Sequence, residues 1–139
     1  MQCRETVGKV QMKNKILIVE DNIVNRNVLR KMLVDIYDLQ EAVNGKEALA
    51  IVKKDYREIS AIILDLFMPV MDGRELLGLL SGDETYKNIP VLVATGEHDN
   101  KIERECLLLG AWDFITKPYD PYILKLRLEN IIGRSQTQL

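Results

Sequence analysis

Five residues stand where short apolar runs stop. Glu20 and Asp21 follow "KILIV", Asp65 follows "AIIL", Thr95 follows "VLVA", and Lys117 follows "DFIT". A packed core has no need for three carboxylates, a hydroxyl and an ammonium in these positions. Clustered carboxylates repel, and they stay ionised together only if a cation joins them. No Cys/His ligand set accompanies them, so the cation would be hard and oxygen-loving. Mg2+ is the first choice and Mn2+ a substitute. Asp65 leaves the most apolar run, which would hold it rigid and central. A carboxylate so placed can attack phosphorus and form an aspartyl phosphate. That transfer needs in-line positioning and neutralisation of the equatorial oxygens. Mg2+, Lys117 and the Thr95 hydroxyl would supply the neutralisation.

These residues can meet only if the chain brings the ends of its apolar runs to one edge. The sequence alternates strand and helix patterns. Strands are predicted at 15–19, 39–43, 61–65, 90–95 and 113–116. Helices are predicted between and after them. The first spans 22–35, with Val24, Val28, Leu29, Met32 and Leu33 at helical spacing, and the second spans 46–55. The third spans 73–82, the fourth 99–110 with Gly110 as its stop, and the fifth 119–134 with Asp120 as N-cap and Pro121 in its first turn. Such alternation gives an α/β fold, a doubly wound parallel sheet covered on both faces. Right-handed crossovers place every strand's C-terminal end on the same edge, where sites of open α/β sheets form.

Composition is compatible with this reading and excludes others. At 139 residues the chain fits one domain with a real core. A net charge of −2 gives no global pull toward nucleic acid or an anionic membrane. No apolar run approaches a membrane span, and no signal-peptide pattern is present. Cys3 and Cys106 lie far apart and form no metal or disulfide motif, so a cytoplasmic location is expected. Residues 1–13 read as a leader or linker, 14–134 as the domain, and 135–139 as a polar tail.

With these residues in place, the chain resembles a response-regulator receiver domain of two-component signalling. "ILIVEDN" matches the family's acidic pair after the first strand, and "ILDLFMPVMDG" its phospho-acceptor strand and loop. "VLVATGE" matches the strand ending in Thr or Ser, and "GAWDFITKPYD" the Gly-Ala…Lys-Pro segment. The resemblance runs from about Lys15 to Arg134. It implies the flavodoxin-like receiver fold, with five parallel strands in order 2-1-3-4-5 and five flanking helices. It also implies that Asp65 accepts a phosphoryl group from a phosphohistidine of a sensor histidine kinase or phosphotransfer protein. Asp21, Asp65 and the backbone carbonyl of Phe67 would ligate Mg2+, with Glu20 acting mainly through water. Lys117 would pair with Asp65 and then with the phosphoryl group. Thr95 would move in to hydrogen-bond it, and Phe114 would turn inward in concert. The Lys117–Pro118 bond would be cis. The face formed by the fourth helix, fifth strand and fifth helix would serve a homodimer or an output domain.

Some readings stay open at this point. Glu20, Asp21 and Asn22 also suit a helix cap, and Phe114 also suits plain core. His98 reads as a solvated residue, and Cys106 as core. Phe67, Gly96 and Glu97 depart from the family's usual residues and would together set how long the phosphoryl group stays. Trp112, usually a small or acidic position, either meets a partner or packs under the preceding loop. Two rival functions remain: a binding module that no longer uses phosphate, and a metal-dependent phosphatase using an aspartyl phosphate. Such phosphatases carry a second acid two residues after the nucleophile, where this chain has Phe67. No Walker or G-x-G-x-x-G pattern follows a strand, so a nucleotide-binding fold is weaker still.

Overall fold

A computed structural model describes residues 14–68, 70–96 and 100–136. The predicted leader at 1–13, Pro69, the segment 97–99 and residues 137–139 lie outside them. Strands β1 (Lys15–Val19), β2 (Asp38–Ala42), β3 (Ile59–Asp65), β4 (Val91–Thr95) and β5 (Asp113–Thr116) form one sheet in order β2-β1-β3-β4-β5. Every pairing is parallel. Helices α1 (Ile23–Leu33), α2 (Gly45–Asp55), α3 (Gly73–Ser81) and α4 (Asn100–Leu108) make the crossovers, and α5 (Pro121–Gln136) follows the last strand. This is the expected doubly wound architecture.

Strand side chains alternate between two buried layers, as a period of two requires. Leu17, Val19, Ile62, Leu64, Val91, Val93 and Phe114 face one layer, closed by Ala48, Val52, Leu76, Leu77, Leu80 and Cys106 from α2, α3 and α4. Ile16, Ile18, Ala61, Ile63, Leu92, Ala94 and Ile115 face the other, closed by Leu29 and Leu33 of α1 and Leu124, Leu128 and Ile131 of α5. All seven residues of β3 are buried, because this central strand has a neighbour on each side and a helical layer on each face.

Polar residues start the helices where predicted strands stop. The Asn22 side chain accepts from the Asn25 N–H, Asn44 from Glu47, and Asp72 from Arg74. The Val43 N–H, one residue before the Asn44 N-cap, donates to Glu47 Oε1, so the Glu47 side chain reaches back over the start of α2. Asp120 accepts from the Tyr122 and Ile123 N–H groups, as its N-cap role predicts. Gly110 has φ +113°, and a Cβ there would meet the Ser81 side chain at 2.5 Å, so its stop role is steric as well as conformational.

Three details differ from the expectation. Val24 and Val28 are exposed, and only Leu29 and Leu33 of α1 are buried. The helix rests on the sheet along a narrow i, i+4 stripe with Met32 partly buried beside it, which leaves Val24 and Val28 outside. A single 3-10 turn, Tyr56–Glu58, precedes β3. Helix α5 runs through Gln136, so residues 135 and 136, read as tail, are helical.

Candidate functional site

Register brings the chemical residues together. Val19 lies opposite Leu64, so the next residues, Glu20 and Asp65, leave adjacent strands side by side. Asp65 pairs with Ala94, and Thr95 with Thr116, which sets Lys117 just beyond. The Lys117 N–H donates to the Thr95 carbonyl at 2.9 Å, and the following Lys117–Pro118 peptide is cis as expected. Glu20, Asp21, Asp65, Phe67, Thr95 and Lys117 all line one cleft of about 470 Å³ at this edge, with Asn22, Asn25 and Gly96. Phe114 does not line it. This residue is buried, and it borders a separate hollow of about 310 Å³ near Glu103, Ile123 and Arg127.

The cleft is organised around charge. The Lys117 Nζ donates to Glu20 Oε1 at 2.9 Å and to Asp65 Oδ1 at 3.3 Å. Glu20 is buried, and its Oε2 also accepts from the Asn22 N–H at 3.2 Å. Asp21 is exposed at the mouth. Burial and then the charge of Glu20 push the Asp65 carboxyl up to about 6, and Lys117 offsets only part of that rise. Burial works against the charge on Lys117. The hydrogen bond to Glu20 and the two carboxylate charges outweigh it and hold the ammonium above its usual value. One lysine therefore serves two buried acids that repel each other.

One carboxylate oxygen each from Glu20, Asp21 and Asp65 lie within 4.8 Å of one another. With only oxygen donors in the cluster, the set fits a hard divalent cation and is poorly matched to soft metals.

The elements around the cleft fix its walls. The Gly73 N–H donates to the Leu66 carbonyl at 2.9 Å, closing the loop after β3. A Cβ on Gly73 would lie 2.5 Å from the Asp65 carbonyl oxygen, so this glycine permits the close approach. Val70, in the same loop, has φ +71°, a costly conformation for a β-branched residue. Phe67 is 42% exposed, and its ring lies beneath the Arg74 guanidinium.

Residues outside the expected set also meet here. Arg26 of α1 donates to the backbone carbonyls of both Glu20 and Asp21. These two carbonyls are main-chain atoms, which leave no mark in a residue pattern. The i, i+4 pair Arg26 and Arg30 was the available hint. Cys106 is buried, as read, and burial first, then Glu105, pushes its thiol up to about 11. Trp112 is half-buried against the α1/α5 layer, with the Arg134 guanidinium 5.5 Å from its ring. Glu97 and His98 lie outside the described residues.

The family model described as "Response regulator receiver domain" matches residues 16–129. "Probable transcriptional regulator ycf27" of Porphyridium aerugineum is 33% identical over 88% of this chain and 49% of its own length. This chain therefore spans about half of that relative. "Chemotaxis protein CheY homolog" of Campylobacter jejuni is 30% identical over 86% of this chain and 92% of its own length. The solved Vibrio cholerae chemotaxis protein CheY4 superposes with a TM-score of 0.79 at 32% identity, covering 86% of this chain and 99% of that one. The family match, these relatives and the sheet order agree, and the chain belongs to the response regulator receiver domains of two-component systems, whose general function is phosphoryl transfer.

Proposed function

We propose that Asp65 is the phosphoryl acceptor of this receiver domain, within a unit spanning 14–134, and that the cleft around it controls an interaction face. The observation that carries the reading is the Lys117 ammonium set between Glu20 and Asp65, with three carboxylates at one strand edge. Receiver domains bind Mg2+ through an acidic pocket and interact with histidine kinases and phosphotransfer partners. Here Asp21, Asp65 and the Phe67 carbonyl would hold the ion, with Glu20 behind them. Bound there, Mg2+ (or Mn2+) would offset the clustered negative charge and help neutralise the phosphoryl oxygens.

The chain's own residues do the rest. An Asp65 carboxylate oxygen attacks the phosphorus of a phosphohistidine. The P–O bond forms as the P–N bond breaks, and the imidazole leaves with the electron pair. Lys117 exchanges its contact with Asp65 for one with a phosphoryl oxygen, and Thr95 donates its hydroxyl to another. Water later attacks phosphorus, releasing inorganic phosphate and restoring the carboxylate. The domain thus acts as a switch that promotes its own phosphorylation and dephosphorylation, with no external substrate turned over.

Thr95 and Phe114 would carry the switch. Both are buried here, so the fold has room for an inward Phe114. The face of α4, β5 and α5 would respond by pairing with a second copy or an output domain. Exposed Leu107, Leu108, Tyr122 and Leu126 support that reading. No helix among the described residues is long and apolar enough to cross a membrane, and a cytoplasmic location fits the phosphohistidine donor.

The test is labelling with acetyl phosphate and Mg2+. Wild type is expected to take up the phosphoryl group and Asp65→Asn to lose it. Equal labelling of the two proteins would overturn the assignment.

A further inference from the structure

We propose that Arg26, locked in place by Glu41, is a positioning residue that fixes the Glu20–Asp21 turn and thereby sets the divalent-cation affinity of the cleft. This rests on the reading of that cleft as a cation site.

The chain changes role over two residues. The Glu20 N–H still pairs with the Ala42 carbonyl, extending the β1–β2 ladder. The Asn22 carbonyl already accepts from the Arg26 N–H, the first bond of α1. Between them the carbonyls of Glu20 and Asp21 lie beyond the last paired residues of the strand and before the first bond of the helix. Arg26 Nη1 donates to both, at 2.9 and 3.2 Å. A helical side chain leans toward its own N-terminus, so a residue four after the N-cap can reach back over the strand end. One guanidinium nitrogen thus holds the backbone of both acids.

The holder is itself held. Arg26 Nε donates to Glu41 Oε1 at 3.1 Å, from the neighbouring strand β2. The Arg26 side chain is only 12% exposed. Arg30 pairs with the other oxygen of Glu41, with its Nε at 2.8 Å. The rigid fork of a guanidinium can bind a carboxylate and a carbonyl pair together, which an ammonium cannot reproduce.

Position and charge act in opposite directions here, and this makes the role testable. The cluster of Arg26, Arg30 and Glu41 carries one net positive charge. Through space, that charge opposes a cation in the cleft, so neutralising Arg26 would tighten metal binding if charge alone mattered. Losing the backbone hold would loosen it.

The experiment is Mg2+ titration of the full chain by calorimetry, with wild type, Arg26→Gln and Arg26→Lys. Weakening by about ten-fold in both variants is expected, the scale of lost outer-shell support at metal sites. Unchanged affinity in both would overturn the proposal. So would tighter binding in Arg26→Gln with Arg26→Lys unchanged, the signature of charge alone. Arg26→Lys keeps the charge and the aliphatic stem, so it decides the matter if Arg26→Gln does not fold. Failure of wild type to bind Mg2+ would overturn the cation-site reading itself, a result distinct from any difference between variants.

Discussion

The guanidinium carbon of Arg74 lies 5.5 Å from the centroid of the Phe67 ring. The same guanidinium pairs with Glu105 of α4 at 3.2 Å and with Asp72 at 3.5 Å. An aromatic at the mouth of the proposed phosphoryl site is thereby tethered to a helix of the proposed output face. A cation over an exposed ring is worth about 0.5–1 kcal/mol, or roughly two- to five-fold in a rate. Phe67→Ala should speed loss of phosphate from Asp65, and Arg74→Ala should speed it by up to that factor. Arg74→Ala should add nothing in a Phe67→Ala background. Phosphate decay followed on all three proteins checks this, and additive effects would separate Arg74 from the ring.

Gly96 offers the opposite handle on the same lifetime. A Cβ at Gly96 would meet nothing within 4 Å. Gly96→Ala should therefore leave stability within about 0.5 kcal/mol while narrowing the path of water and slowing decay. Unchanged decay in Phe67, Gly96 and Glu97 variants alike would show that these positions do not set the lifetime.

The raised Asp65 carboxyl predicts a pH-dependent stability in EDTA. Its value rises from 3.8 to about 6 on folding. The favourable contribution is present below the lower value and is lost as pH rises through the higher one. At neutral pH the ionised residue therefore destabilises the metal-free fold by ~1–3 kcal/mol, allowing for solvent screening at the cleft mouth. Asp65→Asn should melt higher than wild type at pH 7.5, and the gap should close near pH 4. Saturating Mg2+ should raise the wild-type melting temperature at pH 7.5 and narrow the gap there too. Thermal unfolding monitored by circular dichroism measures all of these, and a gap independent of pH would refute the assignment.

Gly73→Ala tests how tightly the loop is drawn under the proposed acceptor. The new Cβ would lie 2.5 Å from the Asp65 carbonyl oxygen and 2.8 Å from Leu66 Cα. Backbone atoms cannot rotate away, so a cost of about 1–3 kcal/mol is expected. Because the displaced atoms belong to Asp65 and its neighbour, acetyl-phosphate labelling should slow as well. Urea unfolding and labelling rates, measured on one preparation, check both.

Much of this site is legible in the sequence because strand ends are. "AIIL" and "VLVA" are unbroken apolar runs, and a chirality rule puts their ends on one edge. Asp65, Thr95 and Lys117 are thus placed without reference to coordinates. Helix α1 is less legible. Val24 and Val28 share the apolar periodicity of Leu29 and Leu33, yet only the latter pair is buried. Periodicity identifies a helix, whereas the width of its contact depends on how it crosses the sheet. Arg26 escapes notice for a different reason. Its partners are two backbone carbonyls and Glu41 on the adjacent strand, a meeting that exists only after β2 has paired with β1.

Trp112 shows the same limit. Its ring has Arg134 on one side, and its carbonyl accepts from that guanidinium at 2.9 Å. Its N–H donates to the Val91 carbonyl, joining the start of β5 to β4. Trp112→Ala should cost about 2 kcal/mol, less than a fully buried tryptophan. Phosphorylation-dependent association should not change. Sedimentation with and without phosphoryl donor decides, and loss of association in a folded variant would restore the partner reading.

The burial of β3 along its whole length has a mechanical consequence. A carboxylate anchored to such a strand cannot withdraw toward solvent when charge arrives. Adjustment would fall instead to what surrounds it: in the proposed switch, the lysine that would change partner, the hydroxyl that would close, and the loops at the rim. In the proposed reading Asp65 would be a fixed electrode, and the signal would be read from the displacement of its more compliant neighbours.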